Sequence, residues 1–128
     1  MDMITEDYVS FETAKLLKEK GFDEKCYVNY NFNGETQYFN YQIPSDGVAC
    51  PTLQMTMKWL RKVHNLHCAV DYDIVLGWYC QITSLKETVE YDYEEMKHYH
   101  PDKDNGFSSP EEAYEAAIKY CLEHKILI

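Results

Sequence analysis

The stretch LHCAVDYDIVLGWYCQI, residues 66–82, decides the fold. Every second residue of its first half is apolar, and the same alternation returns from Leu76 to Ile82. A period of two places alternate side chains on opposite faces of a sheet. The stretch therefore predicts two strands that meet near Asp73. The apolar members of the two alternations are Leu66, Cys68, Val70, Tyr72, Leu76, Trp78, Cys80 and Ile82.

Three helices are predicted by the residues at their ends. The first begins at Ser10, whose hydroxyl can cap free N–H groups, and ends at Gly21. The second begins at Cys50-Pro51, because proline suits a first-turn position where its missing N–H costs nothing. The third begins with the capping box Ser109-Pro110-Glu111-Glu112.

A hairpin is predicted between the first two helices. Asn33-Gly34 is a strong two-residue turn signal, since both positions tolerate a positive φ. This turn would place Tyr30 opposite Gln37 and Val28 opposite Phe39. A further strand is predicted over Thr88 to Tyr93. The expected fold is one α+β domain over residues 1–128, with an antiparallel sheet of four to five strands, three helices and the order α-ββ-α-ββ(β)-α.

The charge of the chain is concentrated in one segment. The formal net charge is −10, and residues 87–104 hold seven acids and two lysines, so they contribute 2 − 7 = −5. Direct binding to nucleic-acid backbone or to an anionic membrane needs a basic patch, so we expect neither. The segment is the candidate surface for a protein partner, with simple solvation as the alternative. The candidate contact residues are Glu90, Asp92, Tyr93, Glu94 and Glu95.

The surroundings of the chain follow from its cysteines and its N-terminus. Its five cysteines are widely spread with no C-x-x-C spacing, which favours reduced, buried thiols in a cytosol. The first residues are acidic and lack an apolar signal region. No apolar run approaches the roughly 20 residues of a membrane helix. We therefore expect a cytoplasmic protein.

A second candidate site is a metal site. His98, His100 and Asp102 form an H-x-H-x-D pattern, and two imidazoles at i and i+2 can reach one ion from an extended segment. A complete site needs a third or fourth ligand. The alternative function is thus a metal-binding protein or a small metal-dependent enzyme.

Motifs of enzyme families do not appear in the sequence. It has no G-x-S-x-G, no P-loop and no G-x-G-x-x-G. The predicted core positions of most cysteines disfavour a reactive thiol. We therefore expect no catalytic residues and no cofactor.

Three blocks of the sequence resemble a protein family. They are residues 8–22, residues 51–55 with 59–61, and residues 110–113 with 116–122. Together they resemble a family of short, uncharacterised proteins found in phages and prophages of gut Bacteroidales. The resemblance implies a bacterial cytoplasm and a phage-linked accessory role, and it carries no activity or ligand. The blocks hold helix caps and core faces, so they bear on fold rather than on a site.

The expected function combines this resemblance with the charge. It is a non-enzymatic, phage-linked accessory protein that binds another protein through an acidic surface. One specific form is an inhibitor that imitates nucleic-acid charge and occupies a basic groove of a host or defence protein. A homodimer is a further alternative.

Overall fold

The computed structural model describes residues 3–38, 47–86, 89–91 and 106–126. It shows an α+β protein in which helices and antiparallel sheets pack around a shared core. The described elements, in chain order, are α1 (Phe11–Glu19), β1 (Val28–Tyr30), β2 (Thr36–Tyr38), β3 (Val48–Ala49), α2 (Leu53–His64), β4 (Leu66–Asp73), β5 (Gly77–Ser84), β6 (Val89–Tyr91), α3 (Pro110–Tyr120) and a π-helical turn (Cys121–Lys125).

The described strands form two three-stranded antiparallel sheets rather than the single sheet that we expected. The first has the order β2-β1-β3, and the second has the order β4-β5-β6. The extra strand is β3, which has only two residues and pairs with β1. Among the described elements the order is therefore α-βββ-α-βββ-α. A strand this short leaves no alternation in the sequence, so periodicity does not reveal it.

The predicted start of α1 and that of α3 are confirmed. The Ser10 hydroxyl accepts from the Thr13 N–H at 3.2 Å, and the Ser109 hydroxyl accepts from the Glu112 N–H at 3.1 Å. The start of α2 was predicted too early. Its cap is Thr52, whose hydroxyl accepts from the Met55 N–H at 3.1 Å, and Pro51 precedes the helix. A hydroxyl that satisfies a free N–H outweighs the mild preference of proline for a first turn.

The hairpin of β1 and β2 has a different register from the predicted one. Tyr30 pairs with Thr36 and Val28 pairs with Tyr38, one residue away from the expected partners. Asn31 causes the shift, because its Oδ1 accepts from the Asn33 N–H at 2.9 Å and from the Glu35 N–H at 3.0 Å. The predicted two-residue turn needs a positive φ at both Asn33 and Gly34, but of these two residues Gly34 alone has one, of 81°. The connection is therefore a three-residue loop. Phe39, the predicted partner of Val28, lies outside the described residues.

The core lies where α2 and α3 meet the second sheet, and α1 packs beside it on α3 and β3. Leu60 from α2, Ile82 from β5 and Ile118 from α3 are each fully buried. The helices α2 and α3 pack on β4, and α3 also packs on β5. One face of the β4–β5 hairpin is therefore buried near its base. The hairpin extends away from this core toward its turn, where the site described next lies.

Candidate functional site

The end of the β4–β5 hairpin exposes three consecutive aliphatic side chains. Ile74 is 90% exposed, Val75 is 83% exposed and Leu76 is 44% exposed. They form the loop between Asp73 and Gly77, which are the last paired residues of the two strands. We call Ile74, Val75 and Leu76 the apolar tip. Contiguous apolar patches on a protein surface are a common feature of places where another molecule binds.

The apolar tip has a defined conformation that its own sequence supplies. The Asp73 Oδ1 accepts from the Val75 N–H at 2.8 Å and from the Leu76 N–H at 2.9 Å. Such a carboxylate turn satisfies the backbone donors of a loop locally. The same two hydrogen bonds hold the pKa of the Asp73 carboxyl below its usual range. The tip is therefore ordered without help from its exposed side chains.

A second segment holds the base of the tip. The Gly106 N–H donates to the Leu76 carbonyl at 2.7 Å, and the Phe107 N–H donates to the Trp78 carbonyl at 2.8 Å. A Cβ on residue 106 would lie 2.4 Å from the Leu76 oxygen and 2.6 Å from the Trp78 oxygen, so only glycine fits there. The Phe107 side chain is buried in the core. This contact connects the tip to the centre of the protein.

Aromatic and acidic side chains surround the apolar tip. Tyr72 packs against Trp78 with ring centroids 5.0 Å apart in an edge-to-face arrangement. Asp71 is exposed, and its Oδ1 accepts from the Tyr72 N–H at 2.8 Å. Residues 66–84 contain two aspartates and no lysine or arginine. The tip is thus an apolar end with an acidic margin.

The acidic residues predicted to bind a partner are described only in part. Glu90 lies on β6, where it pairs with Thr83 of β5, and Asp92, Tyr93, Glu94 and Glu95 lie outside the described residues. The chain pairs with β5 at Tyr91, opposite Ile82, and again at Phe107, opposite Trp78. The described residues on either side of positions 92–105, Tyr91 and Phe107, therefore both lie beside β5.

The three predicted metal ligands all belong to one short segment of the chain. His98, His100 and Asp102 lie outside the described residues. Within the described ranges, no group of three or more His, Cys, Asp and Glu side chains is arranged to hold a metal ion. The metal hypothesis therefore stays a prediction about residues 98–102.

The cysteines are buried, as predicted, and unsuited to nucleophilic chemistry. All five are free thiols within the protein interior. Burial raises the pKa of the Cys26 thiol to about 11 and that of the Cys80 thiol to about 12. The Sγ atoms of Cys68 and Cys121 are 3.9 Å apart. A protonated, buried thiol is a poor nucleophile, so these cysteines serve the core.

A shallow groove of about 380 Å³ lies at the start of α2. The N-terminal segment contributes Glu6 and Asp7, and α3 contributes Glu111 and Tyr114. The three acids are exposed. Exposed carboxylates keep their hydration, so the groove offers neither an apolar pocket nor a group prepared for proton transfer.

Sequence reasoning missed the apolar tip. Leu76 and Tyr72 were predicted as members of the apolar rows of two strands, but both side chains are exposed. The available signal was the run Ile74-Val75-Leu76 between the strands, where a turn ordinarily carries glycine or polar residues. Asp73 directly before that run was the second signal, because an aspartate can close such a loop.

Comparisons with known proteins identify no relative. No protein-family model, no curated protein and no solved structure matches this chain. Among the described residues, no helix has both the length and the apolar character that crossing a membrane requires.

Proposed function

We propose that the protein is a non-enzymatic accessory protein that acts by binding another protein. The observation that carries this proposal is the apolar tip, in which Ile74 and Val75 are almost entirely in water on an ordered loop. Burying one aliphatic side chain contributes roughly 1.5–3 kcal/mol. Three of them on one protrusion form a strong anchor for a protein that offers a matching pocket.

The acidic segment is proposed to extend the same contact surface. The proposed residues are Glu90, Asp92, Tyr93, Glu94 and Glu95, and the chain lies beside β5 at Tyr91 and again at Phe107. Acidic charge near an apolar anchor guides a basic partner to it and adds specificity. An inhibitor that imitates nucleic-acid charge, directed at a basic groove of a host or defence protein, is the specific form of this function.

The cellular setting is proposed from the resemblance to phage and prophage proteins of gut Bacteroidales. The resemblance supports the proposal that the protein acts in a bacterial cytoplasm, in a phage-linked role. The net charge of −10 supports the proposal that the protein binds neither nucleic-acid backbone nor an anionic membrane directly.

Quantitative capture from a bacterial lysate tests this function. The bait is the wild type or a variant in which Ile74 and Val75 are serine, with Val63→Ser as the matched control. Val63 is a 54% exposed valine on α2, so the control makes the same chemical change away from the tip. We expect the tip variant to lose more than about 90% of one captured protein, because about 1.4 kcal/mol is a tenfold change in affinity. The control should retain it.

Charge reversal tests the contribution of the acidic segment separately. Replacing Glu90, Asp92, Glu94 and Glu95 by lysine should weaken capture of the same protein. If the tip variant and the charge-reversed variant both capture the same proteins as the wild type, the proposed function is wrong. Capture lost only with charge reversal would assign the contact to the acidic segment and not to the apolar tip.

A further inference from the structure

We infer that the apolar tip enters an apolar pocket whose edge carries lysine or arginine side chains. This inference rests on the proposed function and names the chemistry of the partner surface. It follows from three properties of the tip, which are its convex shape, the carboxylates beside it and the absence of lysine and arginine from its hairpin, residues 66–84.

The shape of the tip calls for a concave partner. Ile74 and Val75 are exposed at the end of a two-stranded projection, where Asp73 and Gly77 are the last paired residues. A flat surface touches only the outermost side chain of such an end, whereas a pocket contacts all three. Interface anchors give most energy in fully desolvated pockets. The order that Asp73 gives to the loop lowers the entropy lost on insertion.

The charge of the hairpin calls for a basic margin around that pocket. Asp71 and Asp73 both lie on β4, just before the loop, and the Oδ1 of each accepts from backbone N–H groups. In the described part of the chain, neither carboxylate forms an ion pair with a lysine or arginine. An acidic pocket edge would add like-charge repulsion at the moment of insertion, and a basic edge would add attraction.

Other occupants fit these properties less well. Two copies that met at their tips would bring Asp71 and Asp73 of each copy together, and two convex ends touch over much less than the roughly 800 Å² per partner of a standard interface. An anionic membrane repels the same carboxylates. A protein pocket with cationic groups at its edge is the partner surface that matches both the shape and the charge of the tip.

Synthetic hosts of known chemistry test this inference without a captured protein. β-Cyclodextrin has an apolar cavity, and its per-amino form places ammonium groups around the opening. Its per-carboxylated form places carboxylates there, and the unmodified form has neither. Each host is titrated into the whole protein, and the amide NMR signals of residues 74–76 report binding at the tip. The variant D71N/D73N removes both charges, and asparagine Oδ1 still accepts the same backbone N–H groups.

We expect the per-amino host to bind the tip about fivefold more tightly than the carboxylated host at low salt, since an exposed ion pair contributes up to about 1 kcal/mol. The preference for the per-amino host should disappear in D71N/D73N. Val75→Ser should weaken the binding of every host, and Val63→Ser should weaken the binding of none. Equal binding of both charged hosts would overturn the basic margin but leave the proposed function standing. Absence of signal changes at residues 74–76 with every host would overturn the pocket. A dimer in sedimentation that Val75→Ser dissociates would assign the tip to a second copy instead.

Discussion

Gly106→Ala is the substitution that most directly perturbs the base of the apolar tip. Its Cβ would lie 2.4 Å from the Leu76 oxygen and 2.6 Å from the Trp78 oxygen. Carbon–oxygen contacts in proteins are ordinarily about 3.3 Å or longer. Each carbonyl would therefore have to move by roughly 0.8 Å, and both accept the hydrogen bonds that hold residues 106 and 107.

The cost of Gly106→Ala follows from the two ways in which the chain can relieve this clash. If the backbone shifts, overpacking costs about 1–3 kcal/mol, and the two weakened hydrogen bonds add about 0.5–1.5 kcal/mol each. If the segment detaches, the two hydrogen bonds are lost together with part of the roughly 1.5–3 kcal/mol from burial of Phe107. The first route sums to about 2–6 kcal/mol and the second to about 1–6 kcal/mol, so a loss of about 2–4 kcal/mol in the free energy of unfolding lies within the range of both.

Urea unfolding measures this loss, with Gly21→Ala as the control. Gly21 has a φ of 92° and no atom within 4 Å of an added Cβ, so it reports backbone strain without a clash. We expect the control to lose about 1–2 kcal/mol and Gly106→Ala to lose more. Amide exchange at residues 106 and 107 should also accelerate in Gly106→Ala alone. A Gly106→Ala protein within about 0.5 kcal/mol of wild type, with those amides still protected, would refute the close contact.

Further predictions concern titration, thiols and metal. Burial lowers the pKa of His64 in the folded protein below its ordinary 6.5. The unfolded chain therefore binds more protons than the folded protein as the pH drops through 6.5, and the free energy of unfolding measured with urea should fall. His64→Gln should flatten that slope, and an unchanged slope would contradict the assignment. The buried thiols, including Cys26 and Cys80, should resist a disulfide reagent at pH about 8 until the protein unfolds, and rapid labelling of the native protein would contradict their burial. The metal hypothesis predicts that untagged protein contains stoichiometric zinc, iron, manganese or nickel, measured by elemental analysis. Replacing His98 and His100 by alanine should abolish this metal content. A wild-type protein without metal would contradict the hypothesis.

Local chemistry made some elements predictable from the sequence. Ser10 and Ser109 cap their helices because a hydroxyl and a free N–H lie within one turn of each other. The alternation over residues 66–82 identified β4 and β5 for a similar reason, since a buried face enforces a period of two. In each case the deciding interaction joins residues that are close in sequence or repeats along one strand.

Other features depended on competing interactions that the sequence pattern does not rank. Asn31 forms hydrogen bonds inside its own loop and so moves the β1–β2 register by one residue. Thr52 takes the cap of α2 ahead of Pro51. The described strands fall into two sheets because no strand of the first pairs with one of the second, and β3, which completes the first sheet, is too short to show a period. The predicted site lies mainly outside the described residues.

The apolar tip illustrates why a hydrophobic pattern alone did not identify the site. Apolar residues are ordinarily assigned to a core, and Leu76 fits the strand alternation by count. Its exposure follows from the length of the hairpin, because the turn lies beyond the helices that cover the base. Sequence spacing does not specify where that cover ends.

Photo-crosslinking from position 75 tests the central claim most directly. A benzophenone side chain is placed at residue 75, or at residue 63 as the control, and the protein is irradiated in bacterial lysate. We expect one dominant adduct from position 75, with the attached partner peptide in an apolar pocket beside lysine or arginine. Position 63 should give no such adduct. The same adducts from both positions, or none from position 75, would contradict the claim that the apolar tip is the binding surface.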